Sequence, residues 1–227
     1  MSTLVMDRLQ CRVVLFDLDG TLVDSAPDLA GAANALRAVA GMSPLPLSAL
    51  RPWVGAGARG LLAQALDVHP GDPRFESLKA NFLTHYETHL LEHTRPFGGV
   101  EELVLALVNQ GRQWGIVTNK HERFVRPICE GTPLLAQAGT WVAGDTTPHA
   151  KPHPEPLLEA ARRMRVAPED CIYVGDDERD IQAARAAGMA GVVACWGYLG
   201  SGDWESWGAV AGVQSPRDLL DLLAPIA

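Results

Sequence analysis

Five short apolar runs rich in β-branched residues recur along the chain: RVVLFD (12–17), QWGIVT (113–118), TWVAG (140–144), CIYVGD (171–176) and GVVAC (191–195). Helical patterns lie between most of them, GVEELVLALVNQG before the second run, PEPLLEAARRMRV before the fourth and RDIQAARAAGM before the fifth. A strand that is apolar along its whole length is buried on both faces. Strands alternating with helices in this way predict an α/β core with a parallel sheet covered on each side.

The first and second strands are separated by an insertion over about 25–95, far longer than an ordinary crossover. Its patterns are helical and it contains no convincing strand. SAPDLAGAANALRAVAG begins with Ser25 as an expected N-cap and Pro27 in the first turn, and it stops at Gly41. Further helical patterns cover 57–67 and 74–92. The expected organisation is a core of residues 1–22 and 97–227 with a helical cap, 23–96, inserted into it. A chain of 227 residues that is 47% hydrophobic is long enough for one substantial core and a smaller appended unit.

The formal charge of −8 argues against nucleic acid as a partner, because such proteins gather Lys and Arg to displace counterions. No membrane partner is expected either: stretches such as LVLALV (103–108) fall far short of the ~20 residues that cross a bilayer. The opening MSTLVMDRLQ lacks the features of an export signal, so the expected location is cytoplasmic. Cys11, Cys129, Cys171 and Cys195 form no CxxC pair and read as buried thiols.

Ligands of open parallel sheets bind beyond the carboxyl ends of the strands, and the polar residues of this chain gather there. Asp17 and Asp19 follow the first strand, Thr118 and Asn119 end the second, Lys151 comes after the third, and Asp176, Asp177 and Asp180 follow the fourth. A carboxylate can attack a phosphate and form an acyl phosphate, but it must approach a dianion that repels it. Mg2+ answers that need, because it takes oxygen ligands, uses few carboxylates and bridges to substrate phosphate. Asp17, Asp176 and the backbone carbonyl of Asp19 are the expected ligands, with Lys151 balancing the remaining charge. Taken singly, DG is an ordinary turn and GDD an ordinary helix N-cap. Their joint occurrence at successive strand ends is what points to a site.

The series DLDGT (17–21), VTN (117–119), KPHPEPL (151–157) and GDDERD (175–180) resembles the four motifs of the haloacid dehalogenase superfamily, over 12–195. The insertion directly after the first motif resembles the superfamily's small-cap type, which implies a Rossmann-like parallel core with an inserted helical cap. LVDSAPDLAGAANALRAV and WVGAGARGLLAQAL are similar to phosphoglycolate phosphatases. VTNKHERFVRPI, VGDDERDI and WGYLGSGDWESWGA are similar to the related N-acetylmuramic acid 6-phosphate phosphatases.

The resemblance implies Asp17 as nucleophile, Asp19 as general acid, Thr118 as a donor to the phosphoryl oxygens and Lys151 as the neutralising cation. It further implies Asp176 as the second carboxylate on Mg2+, with Asp180 holding the metal's water or orienting Lys151. Asp177 stands where many members carry serine and is given no such role. The expected activity is hydrolysis of a small phosphorylated substrate, 2-phosphoglycolate first and N-acetylmuramic acid 6-phosphate as the alternative, through an aspartyl phosphate. A phosphomutase would keep all four motifs. Asp19 argues against dehalogenation, and a silent binding module would be expected to have lost Asp17, Asp19 or Lys151.

For substrate recognition, Arg59 in GAGARG (55–60) is expected to grip a carboxylate through paired hydrogen bonds, with Asn119 and Lys120 beside it. His85, His89 and His93 recur every fourth residue and are expected on one exposed helix face. Trp196, Tyr198, Trp204 and Trp207 are expected to pack in the core or at a homodimer contact in preference to stacking on a sugar.

Overall fold

The computed structural model describes residues 8–200 and 203–225. Strand β1 (Val13–Phe16) leads through the short β2 (Val23–Asp24) into helices α1 (Ala26–Val39), α2 (Leu47–Leu50), α3 (Gly57–Leu66) and α4 (Phe75–Thr88). A 3-10 turn, Arg51–Ala56, joins α2 to α3 and leaves Trp53 exposed. The chain returns through β3 (Arg95–Pro96) and continues as α5 (Val100–Asn109), β4 (Gln113–Val117), α6 (Glu122–Gly131), β5 (Trp141–Val142), α7 (Glu155–Met164) and β6 (Cys171–Gly175). It ends with α8 (Glu178–Ala186), β7 (Ala190–Ala194), β8 (Ala211–Val213) and α9 (Pro216–Leu222).

Six parallel strands form one sheet in the order β5-β4-β1-β6-β7-β8. The all-apolar β1 lies inside it, and successive residues face opposite layers. Val14 and Phe16 pack with α5, α6 and α9 through Leu103, Leu107, Val125, Ile128 and Leu219. Val13 and Leu15 pack with α7 and α8 through Leu157, Ala160, Ala161, Ala183 and Ala184. In register, Phe16 stands beside Ile116 on one side and Val174 on the other, so the three central strands deliver their next residues to one edge.

Helices α1 to α4 enclose a separate apolar cluster around Leu29, Leu36, Leu61, Leu62, Phe82 and Tyr86, to which Phe124 of α6 and Tyr198 also contribute. Helix α1 stops as expected: Gly41 has φ +70°, its N–H donates to Ala38 O and that of Met42 to Arg37 O, a paired closure that needs the left-handed residue. Its start differs from expectation. Ser25 occupies the N-cap position, but its hydroxyl donates to Asp19 Oδ1 at 2.5 Å. The phenol oxygen of Tyr198 accepts from Ser25 N and Ala26 N instead, at 2.9 and 3.0 Å.

Other expectations are revised as well. The β2–β3 ribbon, at the ends of the insertion, is two residues per strand and too short to leave a periodic signal. The third expected strand shrinks to Trp141–Val142, because Ala143 N turns to Thr146 Oγ1 and the chain peels away toward Lys151. β8 is a three-residue strand, AGV, and carries no alternation. Helix α4 ends at Thr88, so His93 leaves the expected face: His85 and His89 stack half-buried at 4.0 Å, whereas His93 N donates to Asp28. Cys11, Cys129 and Cys171 are buried, and Cys195 only partly. No helix among the described residues is long and apolar enough to cross a membrane. The first seven residues of the expected unsignalled start, and Ser201 and Gly202 of the aromatic stretch, lie outside the described residues.

Candidate active site

At the carboxyl edge of the sheet, Asp17 follows β1 with its N–H donated to Val174 O at 2.9 Å. Asp176 follows β6 and is almost wholly buried. Thr21 Oγ1 donates to its Oδ1 at 3.0 Å and Tyr198 N to its Oδ2 at 2.8 Å. Gly20, at φ +86°, is required between them, since a Cβ there would overlap the Asp176 carboxylate. Asp180 lies in the first turn of α8 and accepts from Asp177 N through Oδ2 at 3.1 Å.

Lys151 reaches this floor from the loop after β5. Its Nζ lies 2.9 Å from Asp17 Oδ1, 2.6 Å from Asp180 Oδ1, 2.7 Å from Tyr173 Oη and 3.1 Å from Val117 O. Burial of the ammonium works against its charge, but Asp17 and Asp180 outweigh that cost and its pKa rises above the ordinary lysine value. Asp17 Oδ1 is buried with the ammonium beside it, yet it receives no well-aligned hydrogen bond.

Burial pushes the Asp176 pKa well above the usual carboxylate range, with Asp17 and Asp180 adding to the rise. Asp180 is raised to about 6 by burial, against the pull of Lys151. One oxygen from each of Asp17, Asp176 and Asp180 lies within 4.8 Å of the others. Three carboxylates therefore face a single ammonium. An all-oxygen donor set with this excess of negative charge, including an oxygen that lacks a hydrogen bond, fits a hard divalent cation.

Asp19 is held differently. Lys120 Nζ meets both its oxygens, at 3.0 and 2.8 Å, and lies 4.6 Å from the centre of the Tyr86 ring. Lys120, expected to meet substrate, is therefore committed to Asp19, and burial has not prevented its pKa from rising under that carboxylate's influence. Asn119, also expected at the substrate, spends its amide on the main chain of Lys151: Nδ2 donates to Lys151 O at 2.9 Å and Oδ1 accepts from Lys151 N at 2.8 Å. Thr118 is buried and its Oγ1 accepts from Lys120 N at 3.2 Å.

A cavity of about 290 Å³ opens above these groups. Asp17, Asp19, Thr118, Asn119, Lys120, Lys151, Asp176 and Asp180 all line it. The opposite wall is mostly carbon, Leu29, Val54, Leu83, Phe82 and Tyr86 from the insertion with Phe124 from α6, and among the described residues Lys79 of α4 is the one charged side chain that the insertion adds to the lining. Arg59 is not among the lining residues and is exposed, third in α3; the arginine that lines the cavity is Arg179. None of Trp196, Tyr198, Trp204 and Trp207 lines it. Trp196 Nε1 donates to Thr21 O, and Tyr198 and Trp207 are buried.

Sequence reasoning gave no part in the site to Tyr173, Thr21 or Arg179, and read Ser25 only as a helix N-cap. Tyr173 could have been noticed, because a phenol inside a strand buried on both faces needs a polar partner; its hydroxyl donates to Val117 O at 2.6 Å. Thr21 and Ser25 sit inside or just after a motif that was read for its aspartates alone.

The haloacid dehalogenase-like hydrolase family model matches residues 14–194. A phosphoglycolate phosphatase of Xylella fastidiosa is 46% identical over 207 residues, 91% of this chain and 90% of that protein. An N-acetylmuramic acid 6-phosphate phosphatase of Pseudomonas aeruginosa is 37% identical over 219 residues, 96% of this chain and 97% of that protein. Among solved structures, a predicted phosphoglycolate phosphatase from Haemophilus somnus superposes with a TM-score of 0.82 at 29% identity, over 94% of this chain and 98% of that one. On the match along most of its length, and with its motif residues gathered at one sheet edge, the chain belongs to the haloacid dehalogenase-like hydrolase family, on its phosphatase branch.

Proposed function

We propose that the protein is a Mg2+-dependent phosphomonoesterase for a small anionic ester, 2-phosphoglycolate foremost, working through an aspartyl phosphate. The observation that carries this is Asp17 Oδ1, buried beneath the cavity, 2.9 Å from Lys151 Nζ and without a well-aligned hydrogen bond. Such an oxygen keeps a lone pair free to attack phosphorus. Asp17, Asp176 and the backbone carbonyl of Asp19 would hold the Mg2+, which when bound neutralises charge on the phosphate and aligns it. Asp19, oriented by Ser25 and Lys120, protonates the leaving oxygen and then draws a proton from the hydrolytic water. Thr118 and Lys151 stabilise charge on the phosphoryl oxygens. Asn119 fixes the main chain of Lys151, and Asp180 with Tyr173 fixes its ammonium. In this reading residues 23–96 act as a cap over a core of 1–22 and 97–227.

A second substrate, N-acetylmuramic acid 6-phosphate, is favoured by the carbon wall, which a two-carbon acid does not need. The 37% identical relative of that name also supports it. The deciding experiment is a panel of phosphomonoesters with purified protein and Mg2+, comparing kcat/KM for these two. Turnover of neither, by folded protein, would overturn the substrate assignment.

A further inference from the structure

Away from the hinge, one hydrogen bond among the described residues runs between segment 26–94 and the sheet unit: Arg179 Nη2 donates to the carbonyl of Gly55 at 2.6 Å. The hinge is the β2–β3 ribbon at the ends of the segment, where Tyr198 meets Ser25 and Ala26, Arg51 meets Asp24, and Arg95 donates to the carbonyls of Leu91, Glu92 and Thr94. Elsewhere the two parts meet through carbon, through Lys120 over the Tyr86 ring, and through the exposed pair Arg123–Glu87 at 3.6 Å. Exposed pairs of that kind contribute little.

The guanidinium is fixed before it meets Gly55. Nε and Nη2 of Arg179 donate to Oδ1 and Oδ2 of Asp177 at 2.7 and 2.8 Å. Asp177 is in turn the N-cap of α8, accepting from Arg179 N at 2.9 Å. The fork therefore presents a donor of set direction toward the glycine-rich turn. Gly55 to Ala58 line the cavity on that side, and a Cβ added to Gly55 would lie 3.5 Å from Asp177 Oδ2, so the turn rests in contact with the ion pair.

We propose that Arg179 is a positioning residue that latches the 55–58 turn onto the core and thereby closes the cavity over Asp17. This rests on the cap reading above. If the closed form is the one that binds substrate, apparent affinity scales with its population. Loss of the latch then raises KM, while kcat at saturation holds, because bound substrate itself draws the turn down.

The test compares Arg179→Ala, Arg179→Lys and, as a control, Arg123→Ala. Hydrogen exchange of the 51–58 segment is measured in substrate-free protein, followed by steady-state kinetics. Exchange at 51–58 should accelerate roughly ten-fold or more in both Arg179 variants, the scale of a charge-assisted hydrogen bond, with kcat within about two-fold and KM rising only by as much as the closed population falls. The strands around Asp17 and Asp176 should be unchanged, and Arg123→Ala should move neither readout. If Arg179→Ala also loosens the strands, Arg179→Lys decides, since it keeps a cation beside Asp177 but not the fork. Unchanged exchange at 51–58 in a folded variant overturns the latch, as does a fall in kcat at constant KM. The exchange readout needs no substrate, so failure of both candidate esters is a separate result.

Discussion

On the floor of the cavity the side chains of Lys151 and Asp180 are 2% and 1% exposed, and each is held by several polar partners drawn from different strand ends. On the wall, Leu29, Val54, Phe82, Leu83 and Tyr86 offer carbon from helices and turns whose ties to the sheet are few. A floor of that kind is preorganised: its dipoles and charges need not move as charge develops, which is where electrostatic catalysis has its strength. A wall of that kind is non-directional and adapts, so it selects by size and shape. Chemistry and selection are therefore separable by mutation, and five substitutions or treatments can break or sharpen the contrast.

The largest effect is expected at Asp17. Asp17→Asn keeps the shape, removes the nucleophile, and should lower kcat by roughly a hundred-fold or more while the thermal midpoint holds or rises, since one of three crowded carboxylates has lost its charge. Activity above that level would mean that attack comes from elsewhere.

Next comes the charge balance of the floor. Lys151→Met strands Asp17 and Asp180 without their cation, and urea titration should show a loss of about 3–5 kcal/mol, the scale for breaking a buried pair. An unchanged midpoint would indicate that the carboxylates take up protons at little cost. Removal of divalent ions should abolish turnover reversibly. Adding Mg2+ back to the apo protein should raise its thermal midpoint, by about 2.7 kcal/mol of stability at a hundred times Kd. A midpoint insensitive to Mg2+ would point to a floor satisfied by Lys151 alone.

The wall should respond more weakly and selectively. Leu83→Ala, at a half-buried lining position, should weaken a bulky sugar phosphate by about 1–3 kcal/mol in kcat/KM and leave a two-carbon phosphate nearly unaffected. Equal losses on both would mean general damage to α4. The smallest effect is expected from Arg59→Ala, within about two-fold on any ester, because Arg59 is exposed outside the cavity.

The same contrast explains what the sequence disclosed. Asp17, Thr118, Lys151, Asp176 and Asp180 come together because each follows a strand end, and parallel strands in register bring those ends to one edge. That is a one-dimensional pattern. Nothing comparable marks Phe82 or Leu83 as cavity wall, since which face of a helix meets solvent, core or ligand depends on how helices pack. Residue type was legible where residue role was not. Lys120 and Asn119 were recognised as polar and well placed, yet their partners, Asp19 and the Lys151 main chain, become visible only in three dimensions. Arginine was expected at the cavity, and Arg179 is there in place of Arg59.

The exposed indole on the 3-10 turn offers an unplanned convenience. Trp53 is the only tryptophan between residues 25 and 95, two positions before Gly55, while the other five lie in the sheet unit. The emission difference between wild type and Trp53→Phe therefore isolates a spectroscopic signal from the roof of the cavity. Closure by the proposed Arg179 latch can then be timed in a stopped-flow cell with the protein's own chromophore and no attached dye.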